Sequence, residues 1–340
     1  MQTAAGHAGC RFFLLAARSF SASDRYYMVS YILRRLASTI PVLLTVAVMV
    51  FLMLRLTPGD PAAVIAGDNA TAQQIDEIRT KLGLNQPIVS QFFIWIANML
   101  RGDLGESFFF RKTVWELIAD RVEPTLSIAA LTIIIAVVIA IPLGVVAAYK
   151  QGTWIDRIVM GFSVIGFSVP VFVIGYLLVY IFAIKLSWFP VQGYQRLASG
   201  VWPWFMSLVL PAFTLSVIYI ALIARMTRTS VLEVLSEDYI RTARAKGQTE
   251  LRVLFHHALK NAAVPIATVV GIGIALLIGG VVVTESVYSI PGLGRLTVDA
   301  VLARDFPVIQ AIILLFSLVY VLINLLVDLS YTIFDPRIRY

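Results

Sequence analysis

The side chains that could do chemistry are few, and their spacing decides what kind. His256 and His257 are adjacent, with Glu237, Asp238 and Glu250 near them in sequence. Neighbouring positions do not share a helix face, so the two imidazoles are poor joint ligands for a metal ion. "HHALK" (256–260) lacks the i, i+4 histidine spacing of a zinc-protease helix, and "GFSVP" (166–170) is not a nucleophile elbow. No Gly-x-x-x-x-Gly-Lys-Ser/Thr run cradles phosphates, and no Gly-Lys pair occurs at all. These residues predict neither a metal site nor ATP hydrolysis on this chain. A single cysteine, Cys10, excludes an intramolecular disulfide and a Cys-rich cluster. What remains is charge. "SEDYIRTARAKGQTELRVLFHHALKNAAVP" (236–265) carries the densest positive run and lies between two long apolar segments.

Those apolar segments define the class. Of 340 residues, 59% are hydrophobic and 14% charged, with mean hydropathy +0.86. Soluble domains carry about 45–50% apolar and about 25% charged residues. Six runs are long enough to cross a bilayer as helices: 36–54, 125–149, 158–184, 205–224, 262–284 and 306–327. In hydrocarbon the backbone must satisfy its own hydrogen bonds, and the runs are too continuous for alternating barrel strands. The expected fold is an all-α polytopic membrane protein of six transmembrane helices. The net charge of +7 then reads as loops facing anionic lipid, not as a nucleic-acid surface.

Lys and Arg concentrate in residues 1–35, 150–157, 225–260 and 328–340, which places both termini in the cytoplasm. Residues 1–27 precede a pattern that opens cleanly at Met28 and are expected to be a dispensable extension. Residues 28–124 hold the first helix and a long external segment; residues 125–340 hold the five-helix core. In the external segment, "ATAQQIDEIRTKLGL" (70–84) predicts an amphipathic helix with Ile75, Ile78 and Leu82 on one face, capped by Thr71 and stopped by Gly83. The apolar stretch 88–100 is too short to span and predicts an interfacial helix.

The basic loop, 225–261, reads as two short helices joined at Gly247. Val231, Leu235, Tyr239 and Ala243 recur at i, i+4, and Leu251, Leu254, Phe255 and Leu259 share a second face. Thr249 or Gln248 starts the second helix. On composition the loop fits two roles equally: lying on anionic lipid, or docking a soluble partner through the small residues Thr242, Ala243 and Ala245.

Here a resemblance enters. "DYIRTARAKG" (238–247) followed by "HHALKNAAVP" (256–265) resembles the cytoplasmic signature of permeases of binding-protein-dependent ABC importers. It is similar in particular to the dipeptide/oligopeptide branch, which includes glutathione and nickel permeases. The family motif Glu-Ala-Ala, three variable residues, Gly falls on Arg241, Thr242, Ala243 and Gly247, with the Glu and first Ala replaced as that branch replaces them. "YILRRL" (31–36), "TPGDPA" (57–62), "GLNQP" (83–87), "GDLGES" (102–107), "ESVYSIPGLGRL" (285–296), "RDFPVIQA" (304–311) and "DPRIRY" (335–340) continue the match in order. The resemblance implies a coupling helix seated in a groove of an ATPase subunit, made by Asp238, Tyr239, Arg241, Thr242, Ala243, Ala245 and Gly247. It further implies a homologous second permease, two ATPase subunits that hold ATP and Mg, and a soluble substrate-binding protein. The chain itself would be a transport subunit without a cofactor, in the inner membrane. Its cargo would be short peptides, with glutathione or nickel as the alternatives. A secondary transporter would instead show inverted repeats or coupling-ion residues in broken spans, and neither is visible.

Within the bilayer region, Glu285 stands out, because an acidic residue at a helix centre costs roughly 2.5–3.5 kcal/mol on insertion scales. It either shapes the turn that follows it or lines a pathway. Asp328 is expected to pair with a cytoplasmic arginine. Pro142, Pro170 and Pro211 either kink their helices or pack statically, and Gly161, Gly166 and Gly175 permit close helix approach.

Overall fold

A computed structural model describes residues 22–56, 60–67, 70–81 and 83–334. Residues 1–21 of the extension, part of "TPGDPA", Leu82 and the closing "DPRIRY" lie outside the described residues. Among the described residues, five helices are long and apolar enough to cross a membrane: α1 (Ala22–Arg55), whose apolar window is Ala37–Arg55, α5 (Val114–Tyr149), α8 (Val201–Leu235), α12 (Ala263–Val287) and α14 (Phe306–Phe334). Between α5 and α8 lie α6 (Trp154–Ser168) and α7 (Val171–Leu178), the latter continuing as a π turn, Val179–Lys185. The axis bends by 104° between α6 and α7. The residue before a proline is pushed out of helical geometry: Val169 is extended (φ −90°, ψ 124°), and Pro170 follows.

Contacts along α8 show that the bent pair crosses as one span in two rods. Asp156 of α6 pairs with Arg228, Gly166 lies against Ala221, and Gly175 of α7 lies against Thr214. These partners retreat steadily along α8 as the pair advances. Beyond the π turn, Tyr194 and Leu197 bond Glu123, at the opposite end of α5 from the α5–α6 turn. The expected six crossings are therefore present. α1 runs antiparallel to α14, with Gln310 Nε2 donating to the Val50 carbonyl at 3.0 Å and Arg35 paired with Asp328 at 2.6 Å. The arginine partner expected for Asp328 is thus Arg35.

α5 and α8 are among the helices that overrun the spans expected for them. At 1.5 Å per residue α5 is roughly 54 Å long, against roughly 30 Å of hydrocarbon. Its first three turns hold Glu116, Asp120, Arg121 and Glu123, and Thr113 caps it by accepting from the Glu116 N–H at 3.3 Å. The charges ended the hydropathic run at 125 without ending the helix. α8 likewise continues past 224 to Leu235, carrying Arg225 and Arg228 on a continuous helix. Pro142 and Pro211 sit inside unbroken helices and only Pro170, of the three, marks a break. Gly166 and Gly175 face near neighbours, but Gly161 has open space beside it, so the expected close contact there is absent.

The external segment contains α2 (Pro61–Ala66), α3 (Ala72–Lys81) and α4 (Ile88–Leu100). Thr71 and Gln74 form a reciprocal capping box at the start of α3: Gln74 N–H donates to Thr71 Oγ1 and Thr71 N–H to Gln74 Oε1. α4 is 13 residues, about 20 Å, and cannot span. It lies against the end of α1, with Phe92 and Trp95 packed on Phe51 and Arg55 donating to Gln91 at 2.9 Å.

The motifs quoted from the outer loops converge. Ser107 of "GDLGES" donates to the buried Asp305 carboxylate of "RDFPVIQA". A further short helix, α13 (Leu293–Leu302), packs its Leu293, Leu296 and Ala300 on Val114, Leu117 and Ile118 of α5 and Val308 of α14. Glu285 closes this corner. It is fully buried, accepts from Thr125 Oγ1 (2.6 Å) and the Arg295 N–H (2.9 Å), and Thr125 in turn accepts from the Leu293 N–H (2.8 Å). A Cβ at Gly292 would collide with the Glu285 carboxylate. Glu285 therefore holds the start of α13, which favours its reading as the residue that shapes the turn.

Candidate coupling site

The 236–261 connection joins the end of α8 to the start of α12. α8 stops at Leu235, a turn at Ser236–Glu237 redirects the chain, and α9 (Asp238–Ala245) follows. Gly247 then takes φ +75°, a left-handed geometry that costs an ordinary L-residue about 1–2 kcal/mol. Its N–H bonds the Arg244 carbonyl at 2.9 Å, and the Gln248 N–H reaches back to Ala243. This is a Schellman helix stop. Thr249 precedes the second helical piece, which runs as α10 (Glu250–Arg252), a π turn (Val253–Ala258) and α11 (Leu259–Asn261). The two short helices joined at Gly247 are present.

Their faces differ from the expectation. The break at Ser236–Glu237 resets the helical phase, so Ile240, not Tyr239 or Ala243, is the fully buried residue of α9. In the second piece the wider π turn rotates the face: Val253, Leu254 and Ala258 are buried, while Leu251 and Phe255 are exposed. Leu254 and Ala258 join Val145, Ala148, Val231, Ala262 and Ile266 in one apolar cluster. That cluster roots the loop in α5, α8 and α12, and α9 rests against the π turn.

Asp238, Arg241, Thr242, Ala245 and Gly247 are exposed, and Ala243 is half-buried. Tyr239 is exposed at its ring, while its hydroxyl accepts from Asn261 Nδ2 at 2.9 Å. Partial burial pushes its phenol above the ordinary range, so it stays a neutral hydrogen-bonding group. Arg241 pairs with Asp238 on the helix surface at 3.1 Å. Arg244 forks onto Glu250 at 2.9 and 3.2 Å, tying α9 to α10 across the Gly247 turn. The outcome is a short helix held from below by Ile240, at one end by the tyrosine–asparagine bond and at the other by an ion pair. On its outer face of small and charged side chains, Arg241 pairs with Asp238 and the Thr242 hydroxyl donates to the Asp238 carbonyl at 3.1 Å, both bonds within α9 itself. Ile240, Asn261 and Glu250 are the anchoring residues that sequence spacing did not single out. His256 and His257 meet edge to face at 5.2 Å.

The geometry is a bundle of six crossings with a braced two-helix connection before the fifth. Residues 140–340 match the family described as binding-protein-dependent transport system inner membrane component. Residues 28–129 match the N-terminal model of such membrane components. The chain belongs to this family. It is 58% identical over 310 residues to a probable peptide ABC transporter permease of Sinorhizobium fredii, covering 91% of this chain and 99% of that one. It is 47% identical to a putative peptide transport system permease of Brucella abortus, covering 92% and 100%. It is 45% identical to the glutathione transport system permease of Escherichia coli K12, again covering 92% and 100%. Among solved structures, an inward-facing form of the MetNI methionine ABC transporter superposes with TM-score 0.55 at 20% identity, covering 65% of this chain and 97% of that one. That likeness shows a shared fold. The chain is a multi-pass permease subunit of an ABC importer.

Proposed function

We propose that this permease forms, with a homologous second permease, the transmembrane pathway for short peptides, with glutathione or nickel as the alternative cargo. Two ATPase subunits dock beneath it and supply ATP and Mg; a soluble binding protein delivers cargo from outside. α9 is the docking element, through Asp238, Tyr239, Arg241, Thr242, Ala243, Ala245 and Gly247. The observation that carries this reading is the bracing of α9. A free surface loop would absorb a push, whereas a helix fixed at its base and both ends transmits one. Basic loops at this end of the bundle support an orientation with both termini in the cytoplasm of the inner membrane. Residues 1–27 are dispensable in this reading.

Peptide is the favoured cargo because the Sinorhizobium and Brucella relatives are named for it. A cavity of about 500 Å³ between α5, α12 and α14 is walled by apolar side chains alone, such as Val137, Ile141, Ile266, Val270 and Ile323. It offers nothing to the charged termini of a peptide, which supports a pathway formed between two subunits. The test is uptake by vesicles holding the complete complex, using labelled dipeptide, tripeptide, glutathione and nickel. ATP- and binding-protein-dependent uptake of the peptides is expected; uptake of nickel alone would overturn the cargo assignment.

A further inference from the structure

The proposed docking helix must hand its movement to the rest of the bundle, and α8 leads directly into it. One polar junction ties α8 to another span on the same side. Asp156, in the first turn of α6, is buried and accepts from Arg228 Nε at 2.5 Å, from Arg228 Nη2 at 2.8 Å and from the Gly152 N–H at 2.9 Å. Gly152 belongs to the turn that leaves α5, so that turn, α6 and α8 meet at one carboxylate. Arg228 lies seven residues, about two turns, before the end of α8 at Leu235. Next to it, Thr227 packs where Gly144 of α5 leaves no room for a Cβ.

The two rods of the bent span are attached differently. α6 packs on α5 and on the docking-side half of α8, while α7 packs on α12 and on the other half of α8. In α7, Gly175 accepts from Tyr288 at 3.4 Å, and Tyr288 is bonded to Thr214 at 2.7 Å. Between the rods Val169 is extended and Pro170 lacks an N–H, so no helical ladder bridges the bend. A forked arginine–carboxylate pair fixes angle as well as distance.

We infer that Asp156 and Arg228 are a positioning pair, which makes α6 move as one body with the docking end of α8 while the Val169–Pro170 break lets α6 swing against α7. This inference rests on the proposed docking role of α9. Neither residue touches cargo or nucleotide; both act through α6.

The test uses the complete complex in vesicles, measuring complex recovered, ATPase rate with and without binding protein, and peptide uptake. Single changes, Asp156→Asn or Arg228→Gln, leave a buried charge without its partner and can fail at folding. The double change Asp156→Asn/Arg228→Gln removes both charges and keeps the complex assembled. It is expected to retain basal ATPase while uptake per ATP hydrolysed falls about fivefold or more, the lower end of typical coupling effects. Arg228→Lys, which keeps charge without the fork, is expected to fall between. A double variant that transports per ATP like the parent would overturn the inference. So would uptake and ATPase falling together in proportion to complex recovered, which marks a purely structural pair. Failure of the unmodified complex to couple ATP to uptake would overturn the docking role itself, and is distinguished by needing no variant.

Discussion

Replacing Ile240 by alanine tests the bracing of α9 at its base. An isolated helix of eight residues is not stable in water, so α9 owes its order to what holds it. Ile240 is fully buried beneath it. The substitution removes three buried carbons, about 2.4 kcal/mol at about 0.8 kcal/mol per methylene. The vacated space raises this toward the roughly 2–5 kcal/mol seen for Ile→Ala in packed sites. With about 3 kcal/mol lost, the open form of α9 becomes about a hundredfold more populated. The loss is local, because the spans keep their own packing. Hydrogen exchange on the purified complex reads it directly. Protection at residues 241–248, whose amides bond within α9 and its stop, should drop about a hundredfold while α8 and α12 keep theirs. Protection unchanged at 241–248 would refute the anchoring role. An equal loss across α8 and α12 would show that the residue supports the whole bundle and not the helix.

Three further predictions follow from the geometry. Arg241→Glu and Gly247→Glu should leave membrane insertion intact but reduce co-purification of the ATPase; the second adds about 1–2 kcal/mol of backbone strain at φ +75°. Gly294→Ala should destabilise the outer corner by about 1–3 kcal/mol, the usual range for overpacking, because its Cβ would stand 2.6 Å from the Val282 Cα; a thermal melt of the purified complex measures it. A protease site inserted after Gln248 should be protected in intact cells and cut in inverted vesicles, and the reverse pattern would invert the orientation.

The crossings were legible because the bilayer demands long uninterrupted apolar runs. Their ends were not, since hydropathy stops at the first charges whereas a helix stops at its cap, as Thr113 shows for α5. The break in the third span was foreshadowed by Pro170, but Pro142 and Pro211 carry the same signal inside continuous helices. Only tertiary context separates them. In the coupling connection, the hinge at Gly247 and the start at Thr249 follow from residue type. The buried faces do not, because an i, i+4 count assumes one unbroken helix. The turn at Ser236–Glu237 and the π turn at Val253–Ala258 both violate that assumption. Glu285 allowed two readings from sequence. Its bonds to Thr125 and Arg295 became visible only once residues far apart in the chain were brought together.

The most direct test of docking is a photo-activated crosslinker placed at Ala245, on the outer face of α9, with Leu302, exposed at the opposite end of the bundle, as control. Illumination of the assembled complex should join the ATPase subunit to the chain labelled at Ala245 and not to the chain labelled at Leu302. An ATPase adduct at Leu302, or none at Ala245 in a complex that still transports, would contradict the account.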